Sequence, residues 1–189
     1  MKVKPLFILL ILLALIGIAV WASRQEGKPL IDNPSETFES RDYNGKTGLN
    51  PGNRAPNFTL TSLDGQKIAL DDYRGKKVIL NFWQTSCVPC RKEMPALQKY
   101  YKKYQAKDVE ILAINLTYNE KNRDDIESFV KEYDAWFPIL LDQNAEAVKK
   151  YEILSAPTSY IIDSKGIIQK KHLGPMSYAF INNIIGKIK

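Results

Sequence analysis

The segment Lys77–Trp83 (KVILNFW) constrains the fold of this chain more than any other stretch. It is short, rich in strand-forming residues, and shows no regular alternation of polar and apolar positions. That is the pattern of a strand buried at the centre of a sheet. Val109–Asn115 (VEILAIN) has the same character. Between them, Cys87 to Tyr104 carries a helical pattern, and Asp124–Tyr133 follows with Ile126, Phe129 and Val130 on one helical face. Asn57–Leu60 and Gln66–Leu70 flank Asp64-Gly65, a hairpin signal. Pro138–Leu141 is a short strand candidate and Ala145–Tyr151 a short helix. Thr158–Ile162 and Ile167–His172 flank Asp163-Ser164-Lys165-Gly166, a second hairpin, and Tyr178–Ile188 closes the chain as a helix. The order ββαβαβαββα predicts an α/β domain, a central mixed β-sheet flanked by helices, over residues 53–189. A segment of that length can bury one adequate core.

The other end of the chain is built differently. Pro5–Ser23 is nineteen residues without a charge, nearly all Leu, Ile, Ala, Val, Phe or Trp. As a helix it would extend ~28 Å, close to the thickness of a hydrocarbon core. Lys2 and Lys4 precede it and Trp21 lies near its far end. These features predict one N-terminal transmembrane helix over 1–23, with a cytoplasmic N-terminus and everything after Arg24 outside. A cleaved signal peptide is the other reading. Val20-Trp21-Ala22 weakly resembles a cleavage site, but the run exceeds the usual apolar region of about 7–15 residues. No cysteine follows the run for a lipid anchor. Residues 24–52 carry Gly27, Pro29, Pro34, Gly45, Gly48, Pro51 and Gly52 among polar residues, with no helical or strand period, and are expected to form an extracytoplasmic linker.

Composition removes several function classes. The net charge is +6, of which Lys2 and Lys4 supply two. The rest is mildly basic without an Arg-rich cluster, so no nucleic-acid partner is expected. The single histidine, His172, argues against a multi-histidine metal site or a Ser-His-Asp centre. Two cysteines exclude a disulfide-dense scaffold and are too few for a structural zinc site. No metal, flavin or nucleotide motif is present, and no cofactor is expected.

Those two cysteines carry the chemistry. Cys87-Val88-Pro89-Cys90 follows the buried strand and opens a helix. Cysteines three apart on a first helical turn lie on one side and can close a small disulfide. The unpaired N–H groups and partial positive charge of a helix N-terminus favour a thiolate. Pro89 in the first turn loses no intrahelical bond, and Arg91 and Lys92 add positive charge nearby. Cys87 is thus the expected attacking thiolate and Cys90 the resolving thiol. A structural disulfide, in a membrane-tethered binding domain, stays open as the non-enzymatic reading. A peroxidatic cysteine would need Thr or Ser three residues before it, where Gln84 stands.

The run Asn81-Phe82-Trp83-Gln84-Thr85-Ser86-Cys87-Val88-Pro89-Cys90-Arg91-Lys92-Glu93-Met94-Pro95 resembles the active-site signature of thioredoxin-like proteins. More narrowly, it is similar to the membrane-anchored TlpA/ResA-type thiol–disulfide oxidoreductases. Ala55–Leu60, Leu63-Asp64-Gly65 and Leu70–Lys76 match the start of that family's domain, which peroxiredoxins share. Ala156-Pro157-Thr158 matches its cis-proline loop. The resemblance covers roughly 53–175 and implies a thioredoxin-like fold. It implies that Pro157 packs against the cysteines, with Ala156 beside it, and leaves a strand edge for substrate backbone; an ordinary strand-start proline is the plain alternative. It puts Asn81 where cytoplasmic thioredoxins carry a buried aspartate, so proton transfer at Cys90 must come from elsewhere. It nominates Glu120, in the loop after Val109–Asn115, as that group, against a solvated loop acid. Trp83, Trp136 and Phe137 are expected in the core. The family's tryptophan before the first cysteine is replaced here by Ser86.

The resemblance further implies the cycle and its partners. Cys87 attacks a disulfide of an exported protein, and Cys90 resolves the mixed disulfide. Apocytochrome c haem motifs and spore-envelope proteins are family substrates. A DsbD/CcdA-type transmembrane thiol donor would return the electrons. An oxidase or isomerase would use the same residues at a higher potential.

Overall fold

The computed structural model describes residues 40–188. The apolar run at 5–23, and with it the expected membrane helix, lies outside the described residues. Among those described, no helix is long and apolar enough to cross a membrane.

Among the described residues, seven strands and four α-helices follow one another in the order β1 (Thr59–Ser62), β2 (Lys67–Ala69), β3 (Lys77–Trp83), α1 (Val88–Tyr104), β4 (Val109–Asn115), α2 (Arg123–Glu132), β5 (Ile139–Leu141), α3 (Glu146–Lys150), β6 (Thr158–Ile162), β7 (Ile168–Leu173) and α4 (Tyr178–Lys187). They form one mixed sheet of order β2-β1-β5-β4-β3-β6-β7. β3 runs parallel to β4, and β4 to β5. β6 is antiparallel to β3 and to β7, and β1 to β5 and β2.

β3 and β4 occupy the residues expected of them, because each is covered on both faces. Ile79 and Trp83 face a core shared with Leu97 of α1, Ile126 and Phe129 of α2, and Ile181 of α4. Val78, Leu80 and Phe82 face the opposite core, with Ala147, Val148 and Tyr151 around α3. Trp83 is fully buried, its ring 4.5 Å from that of Phe129. Phe137 is buried as expected, whereas Trp136 is 60% exposed. Its indole instead lies under the Lys102 ammonium, 4.7 Å away.

The first hairpin is displaced from its expected position. β1 starts at Thr59 because Asn57 is used otherwise: its Oδ1 accepts the Asp71 N–H at 3.1 Å. Residues Leu70–Tyr73, the end of the expected second strand and beyond, form a 3-10 turn whose start is tied by Ala69 N–H to the Asp72 carboxylate at 2.9 Å. The second hairpin turns on Asp163, whose Oδ1 accepts the N–H groups of Lys165 and Ile167. Gly166 there has φ 81°, and the Arg74 guanidinium fills the space where a Cβ would sit.

Residues ahead of 53 also contact the sheet. Gly52 N–H reaches Ile168 O at 2.8 Å, and Ile168 N–H reaches Asn53 O at 2.9 Å. Arg41 exchanges two hydrogen bonds with the Gln169 side chain, at 2.7 and 2.8 Å. This strap occupies part of the open edge of β7, a row of backbone groups that would otherwise invite another strand.

Candidate active site

β3 ends at Trp83 and the chain turns into α1 through Gln84–Cys87. Cys87 is the N-cap of α1, Val88 and Pro89 fill its first two positions, and Cys90 lies one turn in. Pro89 needs no donor there. The two cysteines are joined as a disulfide with Cα atoms 5.2 Å apart. The Cys90 N–H points at Cys87 Sγ, 3.1 Å away. A thiolate on Cys87 would therefore meet a backbone donor and the positive end of a seventeen-residue helix. Cys90 is sealed from solvent, while Val88 and Pro89 are exposed beside Cys87.

The β6 end supplies the second wall. The Ala156–Pro157 peptide is cis. The Ala156 carbonyl oxygen lies 3.4 Å from Cys87 Sγ. Gly174 N–H bonds Pro157 O at 2.9 Å, and Thr158 Oγ1 bonds Ser155 O at 2.7 Å, which fixes both ends of the turn. The N–H groups of Leu154, Ser155 and Ala156 make no hydrogen bond among the described residues. The structure thus brings Cys87, Cys90, Pro89, Ala156 and Pro157 to one place, with Trp83 beneath them in the core.

Glu120 reaches the same loop from the other side. Its carboxylate accepts the Thr85 N–H at 2.7 Å, the Thr85 hydroxyl, and the Asn115 amide at 2.8 Å. Arg91 Nε holds the Thr85 carbonyl at 3.1 Å. Both sides of the Thr85 residue are therefore pinned two positions before Cys87. Glu120 makes no hydrogen bond to either cysteine.

The acid buried next to Cys90 is one the sequence reading passed over. Glu93, one turn further along α1, is only 1% exposed. Its Oε1 accepts from Asn81 Nδ2 at 2.8 Å and its Oε2 from Met176 N–H at 3.0 Å. Burial pushes its carboxyl up to about 7, against the lowering pull of those two donors. Asn81 Nδ2 also donates to Ser159 Oγ at 3.0 Å, and its Oδ1 is buried without a partner. The signal was available in the helical period: Cys90, Glu93, Met94 and Leu97 stand at i, i+3, i+4 and i+7, so an acid sits on the face that must be buried. Among the described residues, no cluster of His, Cys, Asp and Glu is arranged to hold a metal.

The comparisons with known proteins agree with this architecture. Residues 51–171 match the AhpC/TSA family. The chain is 39% identical over 171 residues to the thioredoxin-like protein YneN of Bacillus subtilis, covering 89% of each chain. It is 40% identical over 137 residues to the thiol-disulfide oxidoreductase ResA of Bacillus thuringiensis, covering 72% of this chain and 78% of that one. Among solved structures, StoA from Bacillus subtilis superposes with a TM-score of 0.61 at 34% identity, over 68% of this chain and 95% of that one. The chain accordingly belongs to the thioredoxin-like AhpC/TSA family and is a thiol–disulfide oxidoreductase of the ResA/StoA type.

Proposed function

We propose that this chain reduces disulfides in exported proteins, working outside the cytoplasm from an N-terminal membrane anchor over 1–23 and a linker over 24–52, the last part of which, from Arg41, lies along β7. The observation that carries the reading is the placement of Cys87 Sγ against the Ala156 carbonyl, in a turn whose Leu154, Ser155 and Ala156 N–H groups make no hydrogen bond among the described residues. A substrate strand can pair there and deliver its sulfur to Cys87.

The Cys87 thiolate attacks one sulfur of the substrate disulfide, and the other leaves as a thiolate. The Cys90 thiol then gives its proton to Glu93 and attacks Cys87 Sγ. The second substrate sulfur leaves, and the Cys87–Cys90 disulfide remains. Two electrons have passed to the substrate, whose thiolates take up protons. Glu93 suits the acceptor role because its proton affinity lies near neutrality and it stands one turn from Cys90. Glu120 acts by holding the Thr85 loop. Pro157 and Ala156 align the substrate, while Trp83 and Pro89 support the helix start. Electrons for the next turnover come from a transmembrane thiol donor of the DsbD/CcdA class. Oxidised haem-binding motifs of apocytochrome c and spore-envelope proteins are the substrate classes that fit.

The test is to trap the mixed disulfide. Reduced Cys90→Ser full-length chain, displayed on cells, should hold exported proteins through Cys87, and Cys87→Ser should hold none. Equal loads on both variants, or full activity of Cys87→Ser, would overturn the reading in favour of a structural disulfide.

A further inference from the structure

The cations along α1 divide into two sets. Those that face α2 are neutralised: Arg91 pairs with Glu132 at 3.2 Å, and Lys102 with Asp134 at 2.6 Å. Lys92, Lys99, Lys103 and Lys107 are exposed and make no ion pair among the described residues, and neither does Lys187 at the end of α4. Lys92, Lys99 and Lys103 stand at i, i+7 and i+11, so they form one stripe along the helix. α1 holds a single acid, Glu93, which is buried, and α4 holds none. Asp108, next to Lys107, offsets one of these charges.

The stripe turns toward α4. Lys99 Nζ lies 5.0 Å from the Tyr178 ring, and Lys103 and Lys107 lie 5.2 and 5.8 Å from the Tyr104 ring. The Tyr104 hydroxyl donates to Asn182 Oδ1 at 2.9 Å, which joins the two helices. Both phenols are half-buried. Lysines over partly exposed phenols make a surface that is basic and aromatic at once, a composition suited to the headgroup level of a bilayer.

Its place in the fold limits what it meets. α4 lies beside β7, with the Lys170 ammonium 5.9 Å and the His172 ring 4.6 Å from the Phe180 ring. On β7, Gln169 holds Arg41, where the strap starts. The chain therefore departs toward its N-terminus from the sheet edge next to α4. Sixteen residues, 24–39, stand between the apolar run and that strap. They span at most about 55 Å.

We propose that the Lys99–Lys103–Lys107 flank of α1, together with α4, is a docking surface for anionic lipid headgroups, on which the domain lies when the apolar run at 5–23 is in the bilayer. This placement rests on the anchored reading of that run. A tether so short keeps the surface within reach of lipid at all times, so a weak attraction suffices. Each lysine at an anionic layer raises binding about fivefold, and three together about a hundredfold. The gain fades beyond a Debye length of about 8 Å. α1 then lies along the headgroup plane. Cys87, at its N-terminal end, is held about one helix diameter, ~10–12 Å, above that plane, within reach of a thiol donor embedded in the membrane.

The test is amine acylation of the full-length chain in lipid nanodiscs, read lysine by lysine by mass spectrometry. Lys67 of β2, at the opposite edge of the sheet from β7, is the internal reference. In discs containing phosphatidylglycerol, Lys99, Lys103 and Lys107 should acylate about tenfold more slowly, relative to Lys67, than in neutral phosphatidylcholine discs. In about 1 M salt the difference should vanish. The triple variant Lys99→Gln, Lys103→Gln, Lys107→Gln should return Lys92 and Lys187 to their rates in neutral discs. Dithiothreitol should still reduce its Cys87–Cys90 disulfide at the parent rate. Equal rates in the two lipids, or slowing that survives salt, would overturn the docking surface. Equal slowing by soluble polyphosphate at matched phosphate would assign the surface to a free polyanion and overturn the lipid as its occupant. Incorporation into neutral discs at high salt depends on the apolar run alone, so failure there would sink the anchor. Charge-dependent slowing on phosphatidylglycerol vesicles would still decide the surface.

Discussion

Glu93 is a carboxyl held where water cannot reach it, and its consequences can be measured without a substrate. Its folded proton affinity is raised to about 7, above the value of about 4.3 in an unfolded chain. The folded state therefore binds the proton more tightly. The stabilising contribution is complete below the unfolded value and is lost as pH rises through the folded one. The account predicts that stability falls by about 3 kcal/mol between pH 4.5 and 7.5 from this group. Urea unfolding across that range should show the slope in the parent chain and lose most of it in Glu93→Gln. The same substitution should slow Cys90-dependent release of substrate about 100-fold at pH 7.5 and flatten its acid limb, read by quenched-flow thiol trapping. Glu120 predicts a different phenotype. Glu120→Ala removes the acceptor of two Thr85 donors and should cost about 1–2 kcal/mol. Amide exchange at Thr85–Cys87 should quicken while the pH profile keeps its position, because this carboxylate bonds the loop and not the cysteines.

At the scale of elements, the parts that could be read from the chain are those with a single physical solution. KVILNFW and VEILAIN have no polar face, so both had to be central strands, and β3 and β4 match residue for residue. The CxxC helix began where a cysteine could cap it. Elements that depend on tertiary bonds were harder to read. The turn at Leu70–Tyr73 hangs on Asn57 and Asp72, and neither bond has a period in the sequence. The strap from Arg41 to Asn53 is held by backbone groups and by Gln169, which composition reads simply as polar linker. Glu93 depends likewise on a tertiary bond: its burial is supported by Asn81 on β3 and the Met176 N–H, partners 12 and 83 residues away that no local period announces. The strap yields its own prediction. A chain beginning at residue 53 leaves the β7 edge uncovered, and should be about 2 kcal/mol less stable and self-associate by sedimentation. One beginning at residue 40 should behave as the parent does. Equal behaviour of the two would mean the strap contributes nothing.

At the scale of the whole domain, the chain sets Cys87 beside backbone N–H groups that make no hydrogen bond among the described residues, and seals Cys90 one turn from an acid whose proton affinity lies near neutrality. That arrangement serves either direction of exchange, since the same atoms carry electrons in or out. Direction is set by the stability of the disulfide against the dithiol, and the proposed anchor would set location. Fractionation of cells should find the full-length chain in the membrane and accessible to protease from outside; recovery from the medium would contradict an uncleaved anchor. The most direct test of the central claim is the reduction potential of the Cys87–Cys90 couple in the full-length chain, equilibrated with defined thiol buffers and read by alkylation. The account predicts a value of about −250 mV or lower, as a reductase fed by a membrane donor requires. A value above about −180 mV would contradict it and make the chain a disulfide donor.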